Sequence, residues 1–385
     1  MTVLWLTSWY PSRTHATDGD FTERQAQAVA QQVPVTVLFV TKDANLPAGT
    51  EQCEITTEGN LTVYRVYYAK GKWGGWIEKL LSVSKYFRLQ KKYYQQIVKD
   101  KGQPSLVHVQ VAMKAGLLAL WLKKQYQIPF VVTEHWTGYY PQSQPSIYQQ
   151  NPLYRRLNKK ILQQADRFLP VSAHLGQTVN SHFVAKPFTV VPNVVDTDLF
   201  FYQEKSTPTF RFIHPSYLNY QKNPEGMLRA CQLAVSNGVK FELWLVGNQD
   251  EGLMAMADSL GLLNSTVFFK PAVPYAAVAQ LMQQSSALLL FSRFENLPCV
   301  VLEALCCGLP VISSGVGGIP EVVNASNGLL VPSEDETALA AAIQQMMASY
   351  AQYNRAAIAA SASAQFGYAT VAQQFLQVYQ QVIGK

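Results

Sequence analysis

The sequence predicts an α/β protein made of two Rossmann-like domains, and three observations carry that prediction. Short apolar runs alternate with stretches of helical periodicity almost from end to end, which is the pattern of strands buried in a parallel sheet. The alternation stops near Pro192 and starts afresh after Asp196. A length of 385 residues suits two domains of ordinary size better than one. Hydrophobic residues make up 48% and charged residues 15%, which excludes a disordered chain.

The first series opens with a strand at Val3 to Thr7, a polar loop at Ser8 to Asp20 and a helix at Phe21 to Gln31. Gly19 stands near the start of that helix, as in a loop that faces a phosphate or sugar, and a simple turn role is the alternative. Asp18 and Asp20 suit helix caps equally well. The unit lacks G-x-G-x-x-G, which weighs against a dinucleotide cofactor. Strands follow at Val35 to Thr41 and Leu61 to Tyr68. The next stretch, Lys70 to Gly102, carries nine Lys or Arg among Trp73, Trp76, Tyr86 and Phe87, opposed only by Glu78 and Asp100. It reads as a surface helix with a solvated basic face, or as a segment that meets anionic lipid headgroups. No nucleic-acid motif accompanies the charge.

Ser105 to Val111, Ala115 to Lys124 and Phe130 to Thr133 give strand, helix and strand. His108 lies within a strand and reads as structural. His135 lies just past a strand's carboxyl end, where open α/β sheets bind ligands, and is the better functional candidate. A helix at Arg155 to Gln164, a strand at Arg167 to Val171 and a helix at Ser172 to Ser181 complete the half, and Thr189 to Asp196 reads as a junction.

The second series runs through strands at Phe210 to His214, Phe241 to Val246 and Val267 to Phe269. Its helices fall at Glu225 to Asn237, Leu253 to Leu260, Tyr275 to Gln284 and Asp335 to Ala348. A loop at Ser216 to Pro224 carries Lys222. The stretch from Leu290 to Val323 is the most informative. An apolar strand at Ala287 to Phe291 is followed by polar Ser292 to Asn296. A short helix, Cys299 to Cys307, then has Pro298 suited to its first turn and Asn296 or Leu297 near its cap. Gly308 and Pro310 stop it, and Val311 to Ser313 makes the next strand.

Glu295 and Glu303 punctuate this unit eight residues apart. At helical pitch that spacing returns to nearly the same face roughly 12 Å away. The open N–H groups of a helix start lie between them and favour anions. A carboxylate, an anion cradle and a second carboxylate suit, in that order, a sugar, a diphosphate and a ribose. The alternative is that Glu303 faces solvent and Glu295 is a loop charge.

The run E-N-L-P-x-x-x-x-E-A from Glu295 to Ala304, then G-L-P-V-I from Gly308 and G-G-I-P-E from Gly317, resembles the donor-site signature of retaining GT-B glycosyltransferases of the group-1, family 4 class. The resemblance implies two Rossmann-like domains facing each other across a cleft. Their extents are 1–195 on the acceptor side and 196–365 on the donor side, with the final helix of 366–385 returning to the first domain. It implies a retaining enzyme that moves a hexose-type sugar from a UDP- or GDP-linked donor to a glycan or lipid-linked acceptor in surface polysaccharide or glycolipid synthesis. In that reading Glu295 holds the sugar, Lys222 and the N–H groups near Asn296 and Leu297 hold the diphosphate, Glu303 holds the ribose, and Lys270 to Val273 lie near the base. His135 supports the transferred sugar, and Gly19 borders donor and acceptor. Lys222, Glu295 and His135 are thus the catalytic candidates.

Two positions depart from the family pattern. Ser216 and Tyr217 replace the glycine and arginine of G-R-L-x-x-x-K, so one guanidinium expected on the diphosphate is missing, and Val194 stands where a glycine is usual. No D-x-D arrangement is read in a sugar-site loop, so neither a metal nor a further cofactor is expected. Epimerisation of a nucleotide sugar, and sugar binding without turnover, are the rival readings.

Five cysteines without metal-type spacing suggest reduced thiols in a cytoplasmic protein, with Cys306 and Cys307 as core residues. No apolar segment has the length of a membrane span, and the first residues lead into a strand, not a signal peptide. Up to Val195 there are 22 Lys+Arg and 11 Asp+Glu, a balance of +11; the remaining 9 and 14 give −5. A basic front half suits an anionic surface, here the inner face of the cell membrane.

Overall fold

The computed structural model describes residues 1–69, 71, 75–204 and 209–384, with the backbone alone for 75–81. The chain divides into two compact units. Unit 1 comprises Met1–Val171, Gly176–Pro192 and the chain from Tyr368; unit 2 comprises Ser172–Leu175 and Asn193–Gly367.

Unit 1 runs β1 (Val3–Thr7), α1 (Asp20–Ala30), β2 (Val35–Asp43), β3 (Glu51–Glu58), β4 (Leu61–Ala69), α2 (Gly75–Lys101), β5 (Leu106–Gln110), α3 (Ala112–Tyr126), β6 (Phe130–Glu134), α4 (Pro152–Gln164), β7 (Arg167–Pro170) and, from Gly176 on, α5 (Ala173–His182). Its sheet has the order β3-β4-β2-β1-β5-β6-β7. Every neighbouring pair is parallel except β3 with β4. The chain leaves β1 for β2 on one side and later crosses to β5 on the other, so the strand order reverses between β1 and β5. All five residues of β1, β5 and β6 are buried, the polar Thr7, His108, Gln110, Thr133 and Glu134 included, as strands of a sheet covered on both faces are.

Unit 2 runs β8 (Arg211–Ser216), α6 (Pro224–Ser236), β9 (Glu242–Gly247), α7 (Glu251–Ser259), β10 (Val267–Pro271), α8 (Tyr275–Gln283), β11 (Ala287–Leu290), α9 (Cys299–Cys306), β12 (Val311–Ser314), β13 (Gly328–Val331), α10 (Glu336–Ser349) and α11 (Arg355–Phe366). Its sheet is parallel throughout, in the order β10-β9-β8-β11-β12-β13. The reversal lies between β8 and β11. The core packs Phe212, Met227, Leu243, Leu245, Leu289 and Phe291, each worth about 1.5–3 kcal/mol when taken from water. Cys306 and Cys307 are buried, and burial pushes the Cys306 thiol up to about 12, so neither ionises near neutrality.

The last helix, α12 (Tyr368–Ile383), belongs to unit 1. Phe375 packs against Trp5, and the Tyr379 hydroxyl meets His108 Nδ1 at 2.6 Å. His108 is fully buried and bonds Thr133 with its other ring nitrogen. Among the described residues no helix is long and apolar enough to cross a membrane.

The structure adds elements that the apolar pattern did not announce, namely β3, β13 and α11. It also corrects two local readings. The loop at Ser216 to Pro224 contains a 3-10 turn at Tyr220–Lys222, closed by the Asn219 side chain accepting from Lys222 N. The cap of α9 is Pro298 itself, without any capping side chain, so Asn296 and Leu297 lie before the helix.

Candidate active site

In an open parallel sheet the crevice beyond the strands' carboxyl ends, where the strand order reverses, is the place for ligands. In unit 2 that crevice lies beyond β8 and β11. Lys222 follows β8, Glu295 follows β11, and their side chains meet there as an ion pair. Both are largely shielded, at 16% and 5% side-chain exposure, so the pair is only weakly screened by water. Glu295 is held by two further donors: Ser292 Oγ gives to Oε1 at 2.8 Å, and Gln221 Nε2 gives to Oε2 at 3.0 Å. Gln221 also donates to the Phe294 carbonyl at 3.0 Å. The carboxylate therefore has a fixed plane as well as a fixed place.

The turn that carries Lys222 is fastened from the same side. Arg293 donates to the Tyr220 carbonyl at 2.6 Å and to Glu334 Oε1 at 2.8 Å, and its guanidinium lies 4.3 Å from the Tyr220 ring centre. At the end of β8 the Ser216 hydroxyl bonds His214 Nε2 at 2.7 Å and accepts from Leu218 N at 3.0 Å. Burial lowers the His214 pKa to about 4, so this ring is neutral. Tyr217, in the position of the expected arginine, is 64% exposed. Arg293 does not replace that arginine, because its donors go to the turn and to Glu334.

Glu303 lies on α9 and is buried, at 5% exposure, which rules out the solvent-facing alternative. It accepts a hydrogen bond from the Tyr275 hydroxyl at 2.8 Å. Helical pitch does not link it to Glu295, because Glu295 precedes the helix, which begins only at Cys299. What does link the segments is the double-glycine loop. Gly317 has φ +59°, and a Cβ there would stand 1.8 Å from the Glu295 carbonyl oxygen. Gly318 N donates to the Asn296 carbonyl at 2.7 Å, and Asn193 Nδ2 donates to the Leu297 carbonyl at 2.7 Å. Asn296 and Leu297 are thus clamped through their carbonyls. The N-terminus of α9, without a capping side chain, follows directly and favours an anion.

In unit 1 the reversal lies between β1 and β5, and Ser8 closes it: its N–H donates to the Gln110 carbonyl and its hydroxyl to the Val111 carbonyl. Gly19, at φ +74°, caps α1 and presses on the Trp9 backbone, where a Cβ would come within 2.4 Å. Asp18 and Asp20 stand at D-x-D spacing around it, but Asp20 is taken up by Arg24 at 2.9 Å and by the Phe21 N–H at 2.7 Å. His135, at the end of β6, bonds Gln110 Oε1 through Nε2 at 3.0 Å, and its ring lies 4.4 Å from that of Phe21. Because an amide oxygen only accepts, this bond puts a proton on Nε2. Beside it, Glu134 is fully buried and accepts from Ala112 N at 3.1 Å, Trp136 N at 3.3 Å and the Tyr139 hydroxyl at 3.1 Å. Burial outweighs those donors and pushes its pKa up to about 7.

The structure therefore brings Lys222 and Glu295 into contact and ties Asn296 and Leu297 to the same loop system. Glu303 has a neighbouring anchor of its own, and Gly19 and His135 belong to unit 1. Ser292, Gln221, Tyr275 and Glu134 escaped sequence reasoning; Gln221 and Lys222 are adjacent, which was the available signal for the first contact. Among the described residues no three His, Cys, Asp or Glu side chains are grouped as a metal site.

Comparison with known proteins agrees with this arrangement of folds and motifs. Residues 196–363 match the family described as "Glycosyl transferases group 1", and residues 21–199 match "Glycosyltransferase Family 4". The chain belongs to the group-1 GT-B glycosyltransferases. It is 25% identical over 289 residues to a glycogen synthase of Mycobacterium tuberculosis, covering 72% of this chain and 69% of that protein. In fold it is similar to the sucrose-phosphate synthase of Thermosynechococcus elongatus, with a TM-score of 0.79 over all of both chains at 19% identity. It is also similar to Anabaena HepE in complex with UDP, with a TM-score of 0.71 over 99% of this chain and 100% of that one at 18% identity.

Proposed function

We propose that this glycosyltransferase moves a hexose-type sugar from a UDP- or GDP-linked donor to a glycan or lipid-linked acceptor, with retention of the anomeric configuration and without a metal ion. The observation that carries the reading is the buried Lys222–Glu295 pair at the β8–β11 reversal, immediately before the uncapped start of α9. A donor diphosphate brings negative charge that Lys222 and the α9 N–H groups would stabilise. Glu295, relieved of part of its claim on Lys222, then accepts from hydroxyls of the sugar.

The work of such a site is orientation and charge stabilisation as the glycosidic bond breaks, because the departing nucleoside diphosphate is already a competent leaving group. Lys222 stabilises the charge that grows on the diphosphate, and Glu295, fixed by Ser292 and Gln221, orients the sugar. Glu303 accepts from the ribose. We assign His135 to hydroxyls of the transferred sugar or acceptor, and Gly19 to the loop that lets them approach. The name of the glycogen synthase relative supports a glycan product, and the UDP complex of HepE supports a nucleotide donor.

A panel of UDP-, GDP- and ADP-sugars, incubated without acceptor and with EDTA, tests this directly. Slow loss of one donor, releasing the sugar with its starting anomeric configuration as followed by NMR, is the expected result. Tyr217 in the arginine position favours one rival, a binding protein without turnover. Tight nucleotide binding with no donor loss, with or without acceptor glycans, would establish that rival. Conversion of the donor to its epimer would establish the other.

A further inference from the structure

Tyr275 begins α8, directly after the Lys270 to Val273 segment and the capping Pro274. Its ring is braced from behind. The ring of Phe200, which is fully buried, lies 4.9 Å away at 52°. Phe200 is itself pinned: its N–H donates to the Asp196 carbonyl at 2.9 Å, and Gln283 Nε2 donates to the carbonyls of Leu199 and Phe201 on either side, at 3.1 and 3.4 Å. Gln283 closes the helix that Tyr275 opens, so one short element holds both ends of the brace. At the far end of this chain of contacts the Tyr275 hydroxyl donates to Glu303 Oε1 at 2.8 Å.

In this bond the Tyr275 hydroxyl is the donor and Glu303 Oε1 the acceptor. A donor fixed on one oxygen sets the plane of the carboxylate, and with it the directions in which the group accepts from anything else. A ribose offers two neighbouring hydroxyls, both donors, and its capture depends on that plane. A carboxylate free to rotate captures the same diol at the cost of ordering itself.

We propose that Tyr275 is a positioning residue that sets the Glu303 carboxylate and so makes the donor site select ribonucleotides over deoxyribonucleotides. The inference rests on the assignment of Glu303 to the ribose, and the test separates the two. The affinities of UDP, GDP and ADP and of their 2′,3′-dideoxy counterparts are measured by calorimetry on the full chain, for the wild type, Glu303→Gln and Tyr275→Phe. The tightest-binding base is followed, and the readout is the ratio of ribo to dideoxy affinity. Phenylalanine keeps the ring packed on Phe200, so the variant retains its brace and loses only the hydroxyl.

The expected result is a large ratio in the wild type, near abolition of it in Glu303→Gln, and a fall of about three- to tenfold in Tyr275→Phe with dideoxy affinity unchanged. A ratio unchanged in Tyr275→Phe but abolished in Glu303→Gln overturns the role of Tyr275 and leaves Glu303 on the ribose. Equal losses of ribo and dideoxy affinity in Tyr275→Phe reduce it to packing and overturn the inference too. A ratio unchanged in Glu303→Gln removes Glu303 from the ribose, and the inference falls with it.

Discussion

Lys222 and Glu295 each make the other tolerable. A carboxylate at 5% side-chain exposure needs a positive partner, and Lys222 supplies it beside the donors Ser292 and Gln221. The pair therefore has two separable consequences. Lys222→Met leaves Glu295 with neutral donors only and should lower stability by about 3 kcal/mol, the lower end for breaking a buried pair, because Ser292 and Gln221 still donate. Adding Glu295→Gln removes the stranded charge and should recover much of that loss. Denaturant unfolding of the two single variants and the double variant measures the coupling, and simple additivity would show that the two groups do not depend on each other. Turnover behaves differently. If Lys222 acts mainly on charge that develops as the diphosphate leaves, Lys222→Met lowers kcat more than it raises the donor KM, and Glu295→Gln does not restore it. Wild-type kcat at saturating donor in Lys222→Met would send the search for the phosphate anchor elsewhere.

At the scale of elements, the turn after β6 is organised by a buried acid. Glu134 gathers the start of α3, the backbone of Trp136 and the Tyr139 hydroxyl around one carboxylate, next to His135. Its pKa rises from the ordinary 4.5 to about 7 because burial penalises the charged form. Between those values the folded chain holds a proton that the unfolded chain has released. Its contribution to stability is thus fully present below about pH 4.5 and lost as pH rises through 7, a change of about 3 kcal/mol. Glu134→Gln should flatten that dependence: from pH 5 to pH 8 the wild type should lose more stability than the variant, as read by denaturant midpoints. Parallel curves would remove Glu134 as the cause. Elements also mark how far the sequence could be read. The parallel strands were legible because burial on both faces favours apolar runs, such as the VLWL of VLWLT and the FVV of FVVTE. The strand β3, EQCEITTE, was not, because an exposed antiparallel edge asks little of its side chains. Nor was α11, where RAAIAASASAQF hides its buried face among small residues. In the site, Glu295, Glu303 and Lys222 stood out by motif. Tyr275 and Glu303 are 28 positions apart, and Gln110 and His135 are 25 apart; only the fold brings such pairs together.

For the whole molecule the unequal division of charge, +11 up to Val195 and −5 beyond, is the ground for expecting an anionic surface as a partner. The structure trims the case. Of the basic residues from Lys70 to Lys101, Lys92 is paired with Glu51, Lys91 lies 4.2 Å from the Trp121 ring centre, and Lys85 lies 5.2 Å from that of Tyr68. Tyr86, Leu89, Tyr94 and Ile97 are buried, so this part of α2 packs on its own sheet. Lys70, Lys72 and Trp73 lie outside the described residues, as do the side chains of Trp76 and Lys79. Any attraction to lipid therefore rests on fewer cations than the raw count suggests, at about 1 kcal/mol for each one near the surface. An acceptor carried on a membrane lipid would still make such weak binding useful, because it keeps the enzyme beside its substrate. The expected behaviour is reversible cosedimentation with vesicles containing phosphatidylserine or phosphatidylglycerol, none with phosphatidylcholine alone, and release as salt rises from 50 to 500 mM, roughly a threefold fall in Debye length. Replacing Arg88, Lys99 and Lys101 by glutamine should weaken the binding. Equal binding to both vesicle types, or to neither, would leave the basic stretch a solvated face and direct the search for the acceptor to glycans free of lipid.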